Sequence, residues 1–243
     1  MLNILRSLLF YVGYALTLVV FSSLGVLLSP LLPRRHVQAI CATWCHIAIV
    51  WARICCGIRY DISGLENVPD GACVVLAKHE SAWETLLVQW LFFPAVTVLK
   101  RELLRIPFFG WALRLFDPIA INRDERSDAL KVVLRQGSEK LKAGRRVVIF
   151  PEGTRALPGQ PLPYSVGGAM LAVRAGVPVL PMALTSGDCW PRGTLIKTPG
   201  VIRVVIGAPV STEGKNAKTL NAEVRDWIES RMTELRQPQG TPE

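Results

Sequence analysis

From residue 59 onward, short apolar runs alternate with stretches of helical period. The runs end at Ala77, Lys100, Asn122, Phe150 and Thr185, and another covers 202–206. Between several of them lie helical candidates at 82–93, 109–116, 125–142 and 166–175. A closing helix is expected over 216–236, because Leu220, Val224, Trp227, Ile228, Met232 and Leu235 recur at the three-and-four spacing of one packed face. Apolar runs of this length separated by helices predict an α/β fold, with a mostly parallel central sheet flanked by helices on both faces. The two prolines of Val177-Pro178-Val179-Leu180-Pro181 suggest an edge or irregular strand there, lining an acyl groove.

Ahead of residue 59 the pattern changes. Residues 7–33 are 27 consecutive positions without a formal charge. That is longer than the roughly 20 residues needed to cross a bilayer core. After Pro30, Pro33, Arg34 and Arg35, a second apolar stretch over 37–58 is interrupted by His46 and Arg53. The pattern predicts a membrane-binding helical hairpin over 1–58, an α/β domain over 59–236 and a disordered tail over 237–243. Lying in one leaflet and spanning the bilayer both fit. The positive-inside tendency places Arg34 and Arg35 on the cytoplasmic side. The expected location is the inner (cytoplasmic) membrane, with the site facing the cytoplasm.

Charge sharpens this picture. The formal net charge of +9 is uneven, since residues 1–60 hold five arginines and no acidic side chain. A basic balance serves nucleic acid or an anionic membrane surface, and the apolar setting of these arginines selects the membrane over nucleic acid. Six cysteines, four of them within 37–58, include no CxxC pair. They are expected to be free, buried and apolar in character, in a reducing compartment, with no metal bound.

Candidate chemistry gathers where the apolar runs end. In open α/β sheets, ligands bind beyond the carboxyl ends of the strands. There the sequence places Lys78-His79, Lys100-Arg101, Asn122-Arg123 and Glu152-Gly153-Thr154-Arg155. These would converge on one cationic, phosphate-handling site with a single histidine. The stretch VVLAKHESAWETL, residues 74–86, ends a strand and opens a helix. Ser81-Ala82-Trp83-Glu84 reads as a capping box with Ser81 at N-cap and Glu84 at N3. Five residues apart in a helix would rotate His79 away from Glu84, but a turn between them can bring the two together. Glu84 then serves as a cap, or fixes the imidazole tautomer so that Nε2 is free as a base, or does both. The sequence has no GxSxG elbow, which counts against a serine hydrolase.

His79-x4-Glu84, Phe150-Pro151-Glu152-Gly153-Thr154-Arg155 and Val177–Pro181, in this order, resemble the motifs of the glycerolipid acyltransferases. So do the blocks Lys100-Arg101-Glu102-Leu103, Pro107-Phe108-Phe109-Gly110 and Ile121-Asn122-Arg123. The resemblance covers about 61–206 and points to the bacterial 1-acylglycerol-3-phosphate acyltransferases. It implies transfer of a fatty acyl chain from acyl-CoA or acyl carrier protein to the free hydroxyl of lysophosphatidic acid, giving phosphatidic acid. It also implies neither cofactor nor metal. His79 would be the base and Glu84 its partner. Lys100, Arg101, Arg123, Glu152, Gly153, Thr154 and Arg155 would bind substrate, with Glu152 orienting Arg155 or binding glycerol hydroxyls. Two departures stand out: the family's usual acid at position 84 is aspartate, and the usual basic stretch after the Gly-Thr-Arg block is here Pro163-Tyr164-Ser165. Another lysolipid acceptor, or a non-catalytic lipid-binding protein on this fold, is the alternative.

Overall fold

The computed structural model describes residues 1–237. Of the tail expected at 237–243, all but Gln237 lies outside the described residues. Two long helices open the chain, α1 (Leu2–Leu28) and α2 (Arg34–Cys56). Gly57 ends α2 in the left-handed region at φ 68°, its N–H bonded to the Arg53 carbonyl at 3.0 Å. That conformation is one glycine adopts without a Cβ penalty. The chain then alternates: β1 (Ile58–Ser63), β2 (Val74–Ala77), α3 (Trp83–Leu91), β3 (Ala95–Lys100), α4 (Phe109–Leu115), β4 (Ile119–Ile121), α5 (Arg126–Lys142), β5 (Arg146–Ile149), α6 (Gly167–Ala175), β6 (Val179–Leu184), the single turn α7 (Ser186–Cys189), β7 (Gly200–Ile206) and α8 (Ala217–Arg236).

The seven strands form one sheet in the order β1-β7-β6-β2-β5-β3-β4. Every pairing is parallel except β6 with β7. Successive residues of β2 serve opposite faces, as strand geometry requires. Val75 and Ala77 pack with α2 and α3, whereas Val74 and Leu76 pack with α5, α6 and α8. All four are fully buried, as expected of a central parallel strand covered on both sides.

Two expectations fail in detail. The sequence pattern missed β1, because IRYDIS buries only alternate residues and carries Arg59 and Asp61 between them. And β6 is neither an edge nor irregular: it lies between β7 and β2, and all its residues are buried. Pro181 fits there because its nitrogen lies on the β7 side, opposite Gly207, where the ladder has already ended at Ile206. Its carbonyl still accepts from Gly207 N–H at 2.9 Å. The missing donor therefore breaks no strand pairing.

The N-terminal helices belong to this packing. Eleven residues of α2 are buried, and Trp44, Cys45, Ala48 and Ile49 share a core cluster with the sheet. In α1, Phe10 is fully buried against Trp190, ring centroids 5.0 Å apart. The start of α2 also touches the domain. Arg34 pairs with Asp117 at 3.1 Å, and Gln38 donates to the Leu115 carbonyl at 3.1 Å.

Candidate active site

Strand β2 ends where its ladder does: Lys78 N–H makes a last bond to the Met182 carbonyl at 2.9 Å. The next residue, His79, is clamped through its backbone by the loop after β5. Its N–H donates to Glu152 Oε2 at 3.1 Å, and its carbonyl accepts from Ala156 N–H at 2.7 Å. The ring lies flat on Phe150, with centroids 4.2 Å apart and planes at 24°. Both main chain and ring are thereby fixed.

The turn into α3 supplies the carboxylate. Ser81 Oγ accepts from Trp83 N–H at 2.9 Å, and Glu84 Oε1 accepts from Ser81 N–H at 2.7 Å. The Glu84 half of the expected capping box forms, but the Ser81 hydroxyl takes the N–H of Trp83 rather than that of Glu84, and Ala82, already in the right-handed helical region, is the residue that flanks the helix. The same Oε1 takes Glu80 N–H at 2.8 Å and His79 Nδ1 at 2.8 Å, while Oε2 takes the Ser81 hydroxyl at 2.6 Å and the Ser186 hydroxyl at 2.7 Å. Glu84 is fully buried. Burial alone would raise its pKa, but the bonds from His79, Ser186 and Ser81, together with the charge of His79, hold it below the ordinary carboxylate value. An ionised carboxylate only accepts, so Nδ1 carries the proton and Nε2 presents its lone pair. Among the described residues no protein group bonds Nε2.

The other candidates divide into those that share a cavity with His79 and those that do not. An apolar cavity of about 130 Å³ is lined by His79, Lys100, Arg123 and Phe150 together with Trp44, Cys45, Gln89 and Thr97. Its walls include Leu86, Leu99, Leu103 and Phe116. Lys100 and Arg123 therefore stand with the histidine. The Arg123 guanidinium bonds the Gly153 carbonyl, and burial lowers its pKa somewhat, opposed by Glu102. Gly153 itself has φ 68°, the backbone freedom expected of it. Arg101 lies on the exposed turn Arg101–Arg105, and Thr154 and Arg155 are exposed.

Glu152 and Lys78 differ from the sequence reading. Glu152 makes no ion pair with Arg155. Its side chain is fully buried, paired with Lys78 Nζ at 3.1 Å and bonded to His79 N–H. Burial pushes its pKa up to about 7, against the pull of Lys78. Lys78, expected among the cations of the site, is 2% exposed and also pairs with Glu229 of α8 at 2.7 Å. Tyr164, in the stretch where the family usually carries a base, donates to that same Glu229 oxygen at 2.8 Å. Sequence reasoning also missed Ser186 and Glu229. Ser186 had one signal, a hydroxyl directly after the apolar run ending at Thr185. Glu229 had none, because it stands 151 positions from Lys78 on a helix read only for packing.

With this geometry in place, comparison with known proteins is decisive at the level of family. The family model described as Acyltransferase matches residues 59–185. The 1-acyl-sn-glycerol-3-phosphate acyltransferase of Pseudomonas aeruginosa is 45% identical over 235 residues, covering 95% of this chain and 91% of that protein. The chain belongs to the acyltransferase family. A human member, 1-acyl-sn-glycerol-3-phosphate acyltransferase alpha, is 35% identical over 161 residues, covering 65% of this chain and 57% of its own length. The crystal structure of the 1-acyl-sn-glycerophosphate (LPA) acyltransferase PlsC from Thermotoga maritima superposes with a TM-score of 0.83 at 27% identity, covering 98% of both chains. The span matched to the acyltransferase family contains every candidate from His79 to Arg155 and stops one residue short of Ser186.

Proposed function

We propose that the protein transfers a fatty acyl chain from a thioester, acyl-CoA or acyl carrier protein, to the 2-hydroxyl of 1-acyl-sn-glycerol 3-phosphate, yielding phosphatidic acid. The observation carrying this reading is the His79–Glu84 pair, whose histidine lines an apolar cavity together with Lys100 and Arg123. The names of the relatives supply the acceptor. His79 Nε2 takes the proton from the acceptor hydroxyl as its oxygen attacks the thioester carbonyl. Glu84 holds the imidazole in place and stabilises the imidazolium. When the tetrahedral intermediate collapses, the C–S bond breaks and the thiolate takes the proton back from His79. No metal or cofactor enters these steps.

In this reading Lys100, Arg101 and Arg123, with Thr154 and Arg155, receive the phosphates of the two substrates, and the cavity takes an acyl chain. Arginine's planar fork suits phosphate, and Gly153 lets the backbone turn close to it. Glu152 acts on His79 rather than on glycerol, because its carboxylate is committed to the His79 N–H and Lys78. The protein sits on the cytoplasmic membrane by α1 and α2, both long and apolar enough to cross it. A hairpin in one leaflet is favoured over a span. A spanning hairpin would carry its turn about 30 Å from the domain, whereas Arg34 at that turn pairs with Asp117.

The test is thiol release from palmitoyl-CoA and from palmitoyl-acyl carrier protein, with and without the acceptor. Acceptor-dependent release is expected from the purified protein. His79→Ala should lower it by about 10²–10⁴-fold, the usual contribution of a positioned general base. Normal turnover in that variant would remove His79 from the mechanism.

A further inference from the structure

Helix α1 rests between two supports. On one flank is α2: Gly13 leaves no room for a Cβ against the Trp51 indole, whose Nε1 donates to the Phe10 carbonyl at 3.1 Å, and Trp44 donates to Thr17 Oγ1 at 3.2 Å. On the other flank is the segment between α7 and β7, Trp190-Pro191-Arg192-Gly193-Thr194-Leu195-Ile196-Lys197. Lys197 N–H donates to Ser7 Oγ at 2.8 Å, and its ammonium bonds the Tyr11 hydroxyl. At 100° per residue, Ser7 and Tyr11 lie some 120° around the helix from Gly13 and Thr17. Leu5, Leu8, Leu9, Val12 and Leu16 project outward, more than half exposed or close to it.

This segment inverts the arrangement that water selects. Lys197 is 1% exposed, with no carboxylate partner among the described residues. Its ammonium is held by the Tyr11 hydroxyl, the Leu195 carbonyl at 3.1 Å and the ring faces of Tyr11 and Trp190, each 4.6 Å away. The two aliphatic neighbours turn outward instead, Leu195 at 74% and Ile196 at 42% exposure. In an aqueous loop the lysine would be outside and the leucine packed inward. Val50 and Ile54 of α2 are likewise exposed, so α1, α2 and this loop, which contacts α1 through Lys197, all present apolar side chains outward. Between Trp190 and Thr212 there is no acidic residue, and Arg192 bonds the carbonyl of Arg155.

We propose that this loop is a third membrane-inserting element: Leu195 and Ile196 enter the acyl region of an anionic phospholipid leaflet, with Arg192 at the headgroup phosphates. The inference rests on α1 lying in that leaflet. It adds that the loop, through the Arg192–Arg155 contact, brings the lipid surface against the proposed phosphate-binding residue Arg155, so that a lysolipid passes from the leaflet to it without crossing water.

The experiment uses the full chain with vesicles of phosphatidylcholine and phosphatidylglycerol at three to one. An environment-sensitive fluorophore is placed on Leu195→Cys and, for comparison, on Glu213→Cys ahead of α8; the six native cysteines are all buried. The label at 195 should shift to the blue and be quenched by shallow nitroxide lipids, and the label at 213 should do neither. A Leu195→Ser/Ile196→Ser variant should lose about tenfold in turnover of vesicle-embedded lysophosphatidic acid, while keeping its rate on a short-chain, water-soluble acceptor. A label at 195 that stays in water, on protein that floats with the vesicles, overturns the proposal and leaves the α1 reading intact. Protein that fails to float at all overturns the α1 reading, and the proposal with it. If the double variant is slow on both acceptors, the label decides alone.

Discussion

Glu84 is longer by one methylene than the aspartate usual at its position, and the extra reach ends among hydroxyls. Oε2 meets Ser81 and Ser186, while Oε1 keeps His79. Ser186 touches no reacting atom in the proposed reaction, so its role is to position the carboxylate. A hydrogen bond to a charged group contributes about 1.5–3 kcal/mol. Ser186→Ala is therefore expected to lower kcat roughly tenfold while the acceptor KM holds, and Ser186→Thr, which keeps the hydroxyl, should restore most of it. A matching loss in KM would point to a structural role instead. Glu152 offers a second residue-scale test. Its pKa is about 7 in the folded protein against an ordinary 4.5. Between those values the folded state holds a proton that the unfolded chain has released, so this group's contribution to stability falls as pH rises through the window. The stability of wild type relative to Glu152→Gln should accordingly drop by on the order of 2 kcal/mol from pH 5 to pH 8, measured by denaturant unfolding in detergent. An equal pH dependence in both proteins would show that the buried carboxylate titrates normally.

Among the elements, α1 and α2 carry the most consequence. An anchor that merely tethers can be removed without harm, but α1 covers Trp44, Trp190 and the buried Lys197. Deleting residues 1–33 should therefore lower the unfolding temperature sharply or cause aggregation even in detergent. A truncated chain with the thermal transition and turnover of the full protein would make α1 a detachable tether. The elements also show what periodicity can and cannot deliver. Helices α3, α4, α5, α6 and α8 fall within two residues of their expected spans, because an apolar stripe at three-and-four spacing has one way to pack. Strand β1 escaped because a short edge strand with charges on alternate positions looks like a turn. The two prolines misplaced β6 for a related reason: proline excludes a donor, but only the register of the neighbour decides whether that donor was needed.

At the scale of the whole molecule, the parallel order of β2, β5, β3 and β4 turns four separate strand ends into one site. Each end was legible as a polar break after an apolar run, and the family resemblance named the chemistry. The His79–Glu84 pair was legible too, because it is made within six residues by a cap whose chemistry is local. What the sequence by itself determined is what short-range rules control: the alternation of strands and helices, the apolar N-terminal pair, and the capping box that turns a carboxylate toward the histidine. Only the tertiary structure decided which groups complete the site. Ser186 reaches Glu84 across 102 positions, and Glu229 reaches Lys78 across 151. Those contacts follow from strand order and from where α8 closes over the sheet. The same closure turned Lys78 from a candidate phosphate ligand into a buried prop for Glu152, since a cation removed from water must take its partners from the chain around it.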